Sequence, residues 1–189
     1  TNYPTLYLGS IAGYNAGGYI HNLIAGGSIR VLDDSSIANV DEIEGFVAGI
    51  VGGAENVAGS TVSVQGIETV AVLGLDLSAY NSSMAVAGIV GQSSSSTISD
   101  VRVLASKVSF DQSGLTSSGK IYGQGIVAGI VANSNGDEIT LASVESFISN
   151  TLSASGNVEP FYMLKSDANT VAGLIYTSPS GTTLKNSFI

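Results

Sequence analysis

The chain has 189 residues and a formal net charge of −9, with 11% of its residues charged against roughly 25% in an average soluble domain. Only six Lys and Arg exclude the basic footprint that a nucleic acid or an anionic membrane surface requires, and the lack of cysteine excludes disulfides, thiolate metal sites and Cys nucleophiles. With 44% apolar residues and 24 glycines, the chain has material for a core, and its surface must be built from Ser, Thr, Asn and Gly.

Residues 1–29 carry no Asp, Glu, Lys or Arg. Asn2, Pro4, Asn15, Asn22 and several glycines interrupt them, so no run of ~20 apolar residues forms and no membrane insertion is expected. No basic start precedes an apolar block and the first residue is not Met, so either a signal peptide has been removed or the chain is an excised piece of something longer. No charged cap is evident at residues 1–10 or 182–189, so a segment of a longer chain or a filament subunit is expected. Further along, residues 37–46 are the best helix candidate, with Ser36 as N-cap and Gly45 limiting it. Thr61-Val62-Ser63-Val64, Thr69-Val70-Ala71-Val72, Val101-Arg102-Val103 and Val108-Ser109-Phe110 alternate with the period of half-buried strands. Turn-rich breaks fall at 15–18, 33–36, 93–96, 133–137 and 178–181, and no linker divides the chain, so residues 1–189 are expected to form one repeat domain.

A short phrase of small or β-branched residues around a glycine returns five times. It reads Leu8-Gly9-Ser10-Ile11, Val47-Ala48-Gly49-Ile50-Val51, Val86-Ala87-Gly88-Ile89-Val90, Val127-Ala128-Gly129-Ile130-Val131 and Val171-Ala172-Gly173-Leu174-Ile175. The marker glycines Gly9, Gly49, Gly88, Gly129 and Gly173 lie 40, 39, 41 and 44 residues apart (49−9, 88−49, 129−88, 173−129). Self-similarity at such a period is the signature of a stacked array, in which each repeat buries its apolar face against its neighbours.

A second phrase follows roughly a dozen positions behind the first: an apolar residue, a spacer, then Asn or Asp. It occurs at Ile20-His21-Asn22-Leu23, Ile98-Ser99-Asp100-Val101 and Leu184-Lys185-Asn186-Ser187, with off-phase echoes at Ile37-Ala38-Asn39-Val40 and Ile148-Ser149-Asn150. Asn22, Asn39, Asp100 and Asn186 are therefore expected to be turn amides or acids that hydrogen-bond the backbone of their own or the adjacent coil. A coil of ~20 residues would fit twice into each repeat, giving about nine coils.

The stretch from Gly9-Ser10-Ile11-Ala12-Gly13-Tyr14-Asn15 through Gly17-Gly18-Tyr19-Ile20-His21-Asn22 to Gly26-Gly27-Ser28-Ile29 resembles the GLUG repeat. Gly49-Ile50-Val51-Gly52 and Gly88-Ile89-Val90-Gly91 match its opening, while Gly129-Ile130-Val131-Ala132 and Gly173-Leu174-Ile175-Tyr176 depart at the last position. Such repeats occur in large bacterial surface and secreted proteins, including adhesins and accessory regions of immunoglobulin A peptidases. The resemblance implies a right-handed parallel β-helix with no activity of its own.

Residues able to carry chemistry are few. His21 is the only histidine, so no histidine metal cluster can form, and it occupies a spacer slot that reads as solvent-facing. Asp33, Asp34, Asp41, Glu42 and Glu44 make a local acidic cluster near Arg30. Neighbouring acids on a strand point to opposite faces, which favours a solvated turn over a catalytic pair. Asn133, Asn135, Asp137 and Glu138 alternate like calcium ligands, but Gly136 stands before the third of them and an Asn-Gly turn explains the run. Calcium is the one cofactor kept in view. The glycine phrases lack the Gly-Lys-Ser/Thr of a phosphate loop. Tyr3, Tyr7, Tyr14, Tyr19, Tyr122 and Tyr176 suit sugar stacking, protein docking or the capping of apolar stacks.

The sequence thus predicts an all-β, right-handed parallel β-helix, with an antiparallel β-sandwich as the alternative. The expected role is a non-enzymatic structural or adhesive module of a cell-surface or secreted protein. Its expected partners are a host or neighbouring-cell glycan, a protein, or further copies of itself. A carbohydrate-active β-helix enzyme of the lyase or glycosidase type is the competing reading.

Overall fold

The computed structural model describes residues 5–31, 44–74, 76–79, 83–105, 107–111, 114–118, 121–123, 125–146, 164–166, 170–179 and 181–189. Among these residues every regular element is a strand. The first repeat contributes β1 (Leu6–Gly9), β2 (Ala12–Ala16), β3 (Tyr19–Ala25) and β4 (Ser28–Val31). The second contributes β5 (Gly45–Ala48), β6 (Val51–Glu55), β7 (Gly66–Leu73) and β8 (Asp76–Ala79). The third has β9 (Met84–Ala87), β10 (Val90–Ser94), β11 (Thr97–Ala105), a hairpin of β12 (Lys107–Asp111) and β13 (Gly114–Ser118), and β14 (Ile121–Gly123). The fourth has β15 (Val127–Ala128), β16 (Val131–Asn135), β17 (Glu138–Ser146) and β18 (Leu164–Ser166), and the fifth has β19 (Val171–Ala172), β20 (Ile175–Thr177) and β21 (Thr183–Lys185).

Equivalent strands of successive repeats pair side by side. The first sheet runs β1-β5-β9-β15-β19, the second β2-β6-β10-β16-β20, the third β3-β7-β11-β17-β21 and the fourth β4-β8-β14-β18. All these pairings are parallel, and the sole antiparallel pair among the described residues is the β12–β13 hairpin. This in-register parallel stacking is compatible with a β-solenoid, and it is not the arrangement of an antiparallel sandwich.

Each strand pairs with a strand one whole repeat away: Val47 with Val86, Val90 with Val131, Ile98 with Ile139. A repeat therefore lays one strand in each of four sheets. The expectation of two coils per repeat, and so about nine in all, needed partners ~20 residues apart, a spacing these parallel ladders do not show. The unit is larger because four strands and their corners use up the whole 40-residue period.

The core is a set of apolar columns. In-register Val47, Val86 and Val127 are fully buried, as are Val51, Val90 and Val131 on the next sheet and Ile98 and Ile139 on the third. Leu77 and Ile121 stack on the fourth sheet. β-Branched side chains suit this geometry, since each packs on its counterpart one rung away as well as across the interior. Burial of each contributes about 1.5–3 kcal/mol.

Two local expectations change. Thr61-Val62-Ser63-Val64 is not a strand but part of a loop between β6 and β7, with Val62 and Val64 exposed. Alternation alone is insufficient there, because the loop swings away from the stack and finds neither a ladder partner nor a core; Gln65 closes it with bonds to the amide and carbonyl of Val57. For the helix candidate at 37–46, residues 37–43 lie outside the described residues, and Gly45 and Phe46 open β5.

Candidate functional site

The recurring glycines sit at the bend between the first and second sheets. Gly49, Gly88, Gly129 and Gly173 each follow the in-register alanines Ala48, Ala87, Ala128 and Ala172. A Cβ on Gly49 would overlap the carbonyl oxygen of Gly88, one on Gly88 that of Gly129, and one on Gly129 that of Gly173. Gly9 differs. It pairs with Ala48, so Ser10 occupies the place of Gly49 in the first repeat, and its Oγ donates a hydrogen bond to the Gly49 carbonyl. Centring the phrase on its glycine misplaces the first repeat by one residue.

Opposite this bend, a Cβ on Gly49, Gly88 or Gly129 would also press on Val72, Val103 or Val144 respectively, at 2.9, 2.6 and 2.6 Å from Cγ2. In the first repeat Ser10 stands where the others have glycine, and Ala25 stands in register with Val72. The larger residue at the bend is matched by a smaller one across the interior, as dense packing demands.

The turn residues form a second column. Asn22, Asp100 and Asn186 have left-handed backbones, with φ of 53°, 48° and 50°, and each interrupts a strand of the third sheet or follows its end. Register places Thr69 and Leu141 in the same column, with φ of 53° and 55°. All five repeats therefore bend at this position. Asn39 lies outside the described residues, and the second repeat uses Thr69 instead; the echo at residues 148–150 also lies outside them, and the fourth repeat uses Leu141. Those two were hidden because a Thr and a Leu stand where Asn or Asp is favoured. The flanking pattern was a usable signal, since Ile67-Glu68-Thr69-Val70 and Ile139-Thr140-Leu141-Ala142 keep the apolar spacing of Ile20-His21-Asn22-Leu23.

His21 is exposed, stacks on the Tyr19 ring at 4.3 Å between centroids, and lies 3.0 Å from the Asn22 amide through Nδ1. The Tyr19 hydroxyl donates to Glu68, which keeps the phenol proton bound above the usual tyrosine range. In the 133–138 run, Gly136 makes a left-handed turn at φ 70°, and the Asp137 carboxylate points inward. Its Oδ1 accepts from the Ser96 amide at 2.8 Å and its Oδ2 from the Ser134 hydroxyl at 2.5 Å. Burial pushes this carboxyl up, and those hydrogen bonds partly offset the rise. Asp33, Asp34, Asp41 and Glu42 lie outside the described residues; Arg30 and Glu44 are exposed.

One concave feature that brings side chains together is the outer seam where the first two sheets fold toward each other. On one wall run Tyr7, Phe46, Ala85 and Ile126, in register. On the other run Tyr14, Gly53, Gln92, Asn133 and Thr177. In the first two repeats aromatic rings fill the seam: Tyr7 stacks on Phe46 at 5.7 Å and meets Tyr14 edge-on at 5.1 Å. Gly53 makes room for them, since a Cβ there would lie 2.6 Å from the Tyr14 ring and 2.7 Å from that of Tyr7. Burial, and then the Glu55 carboxylate, hold the Tyr14 proton above the usual range.

Beyond Phe46 the wall residues shrink to Ala85, and the seam opens into a cleft of about 310 Å³. Phe46, Ala85, Gln92, Ile126 and Asn133 line it, with Glu44 at its rim. Tyr7 donates its hydroxyl proton across two repeats to Gln92 Oε1 at 2.8 Å, which fixes the orientation of that amide. Asn133 Oδ1 is buried and has no hydrogen-bond partner among the described residues. Among the described lining residues Glu44 is the one carboxylate, so the two acids of glycoside hydrolysis are not assembled there. Among the described residues the cleft offers an aromatic ring, two amides and no cation. The aromatic character of Tyr7 and Tyr14 was legible in the sequence, but Gln92 and Asn133 were missed as wall partners, because nothing in the chain order says that the two sheets face each other across a seam.

In comparisons with protein-family models, curated proteins and solved structures, nothing matches this chain.

Proposed function

We propose that the chain is a non-enzymatic β-solenoid module of a cell-surface or secreted protein, wound as a right-handed parallel β-helix and serving attachment or self-assembly. The observation that carries this reading is the in-register stacking of one strand per repeat in each parallel sheet. Such an array is quasi-one-dimensional and presents long flanks instead of an enclosed reaction chamber. The resemblance of residues 9–29 to the GLUG repeat supports the same assignment and the handedness.

The outermost strands supply the self-assembly part of the proposal. Among the described residues β1, β2 and β3 each pair along one edge. Apolar side chains crowd both ends of the stack: Leu6 and Ile11 are exposed in the first repeat, and Val171, Leu184, Phe188 and Ile189 in the fifth. Exposed apolar side chains of this kind suit contact with another apolar surface, which is what self-assembly needs.

Attachment is tested by retention of fluorescent particles bearing the chain on glycan- and protein-coated surfaces, and assembly by light scattering across a concentration series. Retention, or a concentration-dependent rise in mass, is the expected result. A monomer at every concentration that adheres to nothing would remove this reading, and release of reducing sugar or unsaturated uronate from polysaccharides would replace it with the enzyme.

A further inference from the structure

We infer that the seam cleft between the first and second sheets binds a neutral hexopyranose unit of a glycan, an assignment that rests on the attachment reading. Three features of the cleft carry it.

The first is the Phe46 ring. One face stacks on Tyr7, and the other side is turned to the repeat of Ala85, where the small side chain leaves the cleft open. An aromatic wall flanked by empty space suits the apolar C–H face of a pyranose. The second is the buried, unpartnered Asn133 Oδ1. A buried acceptor without a donor is costly in the free protein, and a turn of the Asn133 amide toward the cleft would present it to a sugar hydroxyl. The third is Gln92, whose Oε1 is held by Tyr7, leaving Nε2 to donate to a hydroxyl oxygen on the same ligand.

The charge of the cleft selects among sugars. Among the described residues no Lys, Arg or His lines it, Glu44 stands at its rim, and the chain as a whole carries −9. A uronate or sulfated sugar would meet uncompensated negative charge, so a neutral unit is favoured. The volume of about 310 Å³ lies at the lower end of small-molecule sites, which fits one ring of a longer glycan and not a folded partner.

The experiment uses the whole chain with maltotriose, cellotriose, mannotriose and trigalacturonate as probes, read by saturation-transfer NMR and titration calorimetry. The expected result is saturation transfer to at least one neutral trisaccharide and none to trigalacturonate. Ala85→Leu fills the cleft and should abolish that transfer. Gln92→Ala should weaken binding by about tenfold. If Ala85→Leu fails to fold by circular dichroism, Gln92→Ala decides alone. The inference is overturned if no neutral probe binds, if trigalacturonate binds as well, if the folded variants bind unchanged, or if a Phe-containing peptide displaces the sugars from a separate site. Retention on protein-coated surfaces or self-assembly without any sugar binding would overturn the cleft assignment and leave the module reading standing.

Discussion

The α-carbon of Gly88 faces the backbone carbonyl of Gly129 so closely that a methyl group at Gly88 would overlap the oxygen and lie 2.6 Å from Val103 Cγ2. The same relation joins Gly49 to Gly88 and Gly129 to Gly173. From the second repeat onward the bend between the first two sheets is thus a stack of backbones in contact, with no side chain to separate them.

Gly88→Ala should consequently cost about 1–3 kcal/mol or more, because a carbonyl held in a ladder cannot step aside as a side-chain tip can. Urea unfolding followed by circular dichroism would measure it. A loss under about 1 kcal/mol would mean that the rungs can spread apart at the bend.

Thr69 and Leu141 hold left-handed backbones that their neighbours Asn22, Asp100 and Asn186 occupy with residues suited to them. Leu141 is 54% exposed, so its side chain gives little packing in return. Leu141→Asn and Thr69→Asn are each expected to raise stability by about 0.5–1 kcal/mol, and Asn22→Val to lower it by about 1–2 kcal/mol. The three melting curves, taken side by side, provide the check.

Asp137 imposes a pH dependence. Burial raises its folded-state pKa, so the folded protein holds this proton more tightly than the unfolded chain. Its contribution is complete below the ordinary Asp value of about 3.9 and declines as pH climbs through the raised folded value. Asp137→Asn keeps an acceptor for the Ser96 amide and puts a donor opposite Ser134, whose hydroxyl also lies 3.0 Å from Thr182 Oγ1. The variant should lack that decline. Parallel unfolding midpoints of the two proteins from pH 3.5 to 7 would show it as a gap that opens with rising pH.

Asn133 separates stability from binding. Replacing it by Leu removes the buried orphan acceptor and is expected to raise stability by about 1 kcal/mol or more. The same change should eliminate sugar binding, a trade found where a site holds polar groups unsatisfied until a ligand arrives. A variant that is both less stable and still binds would show that the Asn133 amide serves packing alone.

The repeat and its columns were legible in the chain. A glycine phrase returning at near-constant spacing, with Val and Ile at fixed offsets, implies parallel strands in register, since only equivalent positions one period apart can stack identical side chains. Even so, the visible glycine sets the first repeat one residue out of phase. Gly9 carries the visible glycine, whereas backbone pairing aligns Ser10 with Gly49. Thr69 and Leu141 escaped notice for a similar reason: conformation there is imposed by the stack, and local preference yields to it.

Sequence by itself determined the period, the all-β character and the apolar ladders, because each depends on residues close together or one repeat apart. Tertiary structure alone decided that a repeat lays down one strand per sheet, and that Phe46 and Ala85 face Gln92 and Asn133 across a seam. That facing depends on the angle of the glycine bend, which arises from backbone contacts between rungs and leaves no trace in the order of side chains.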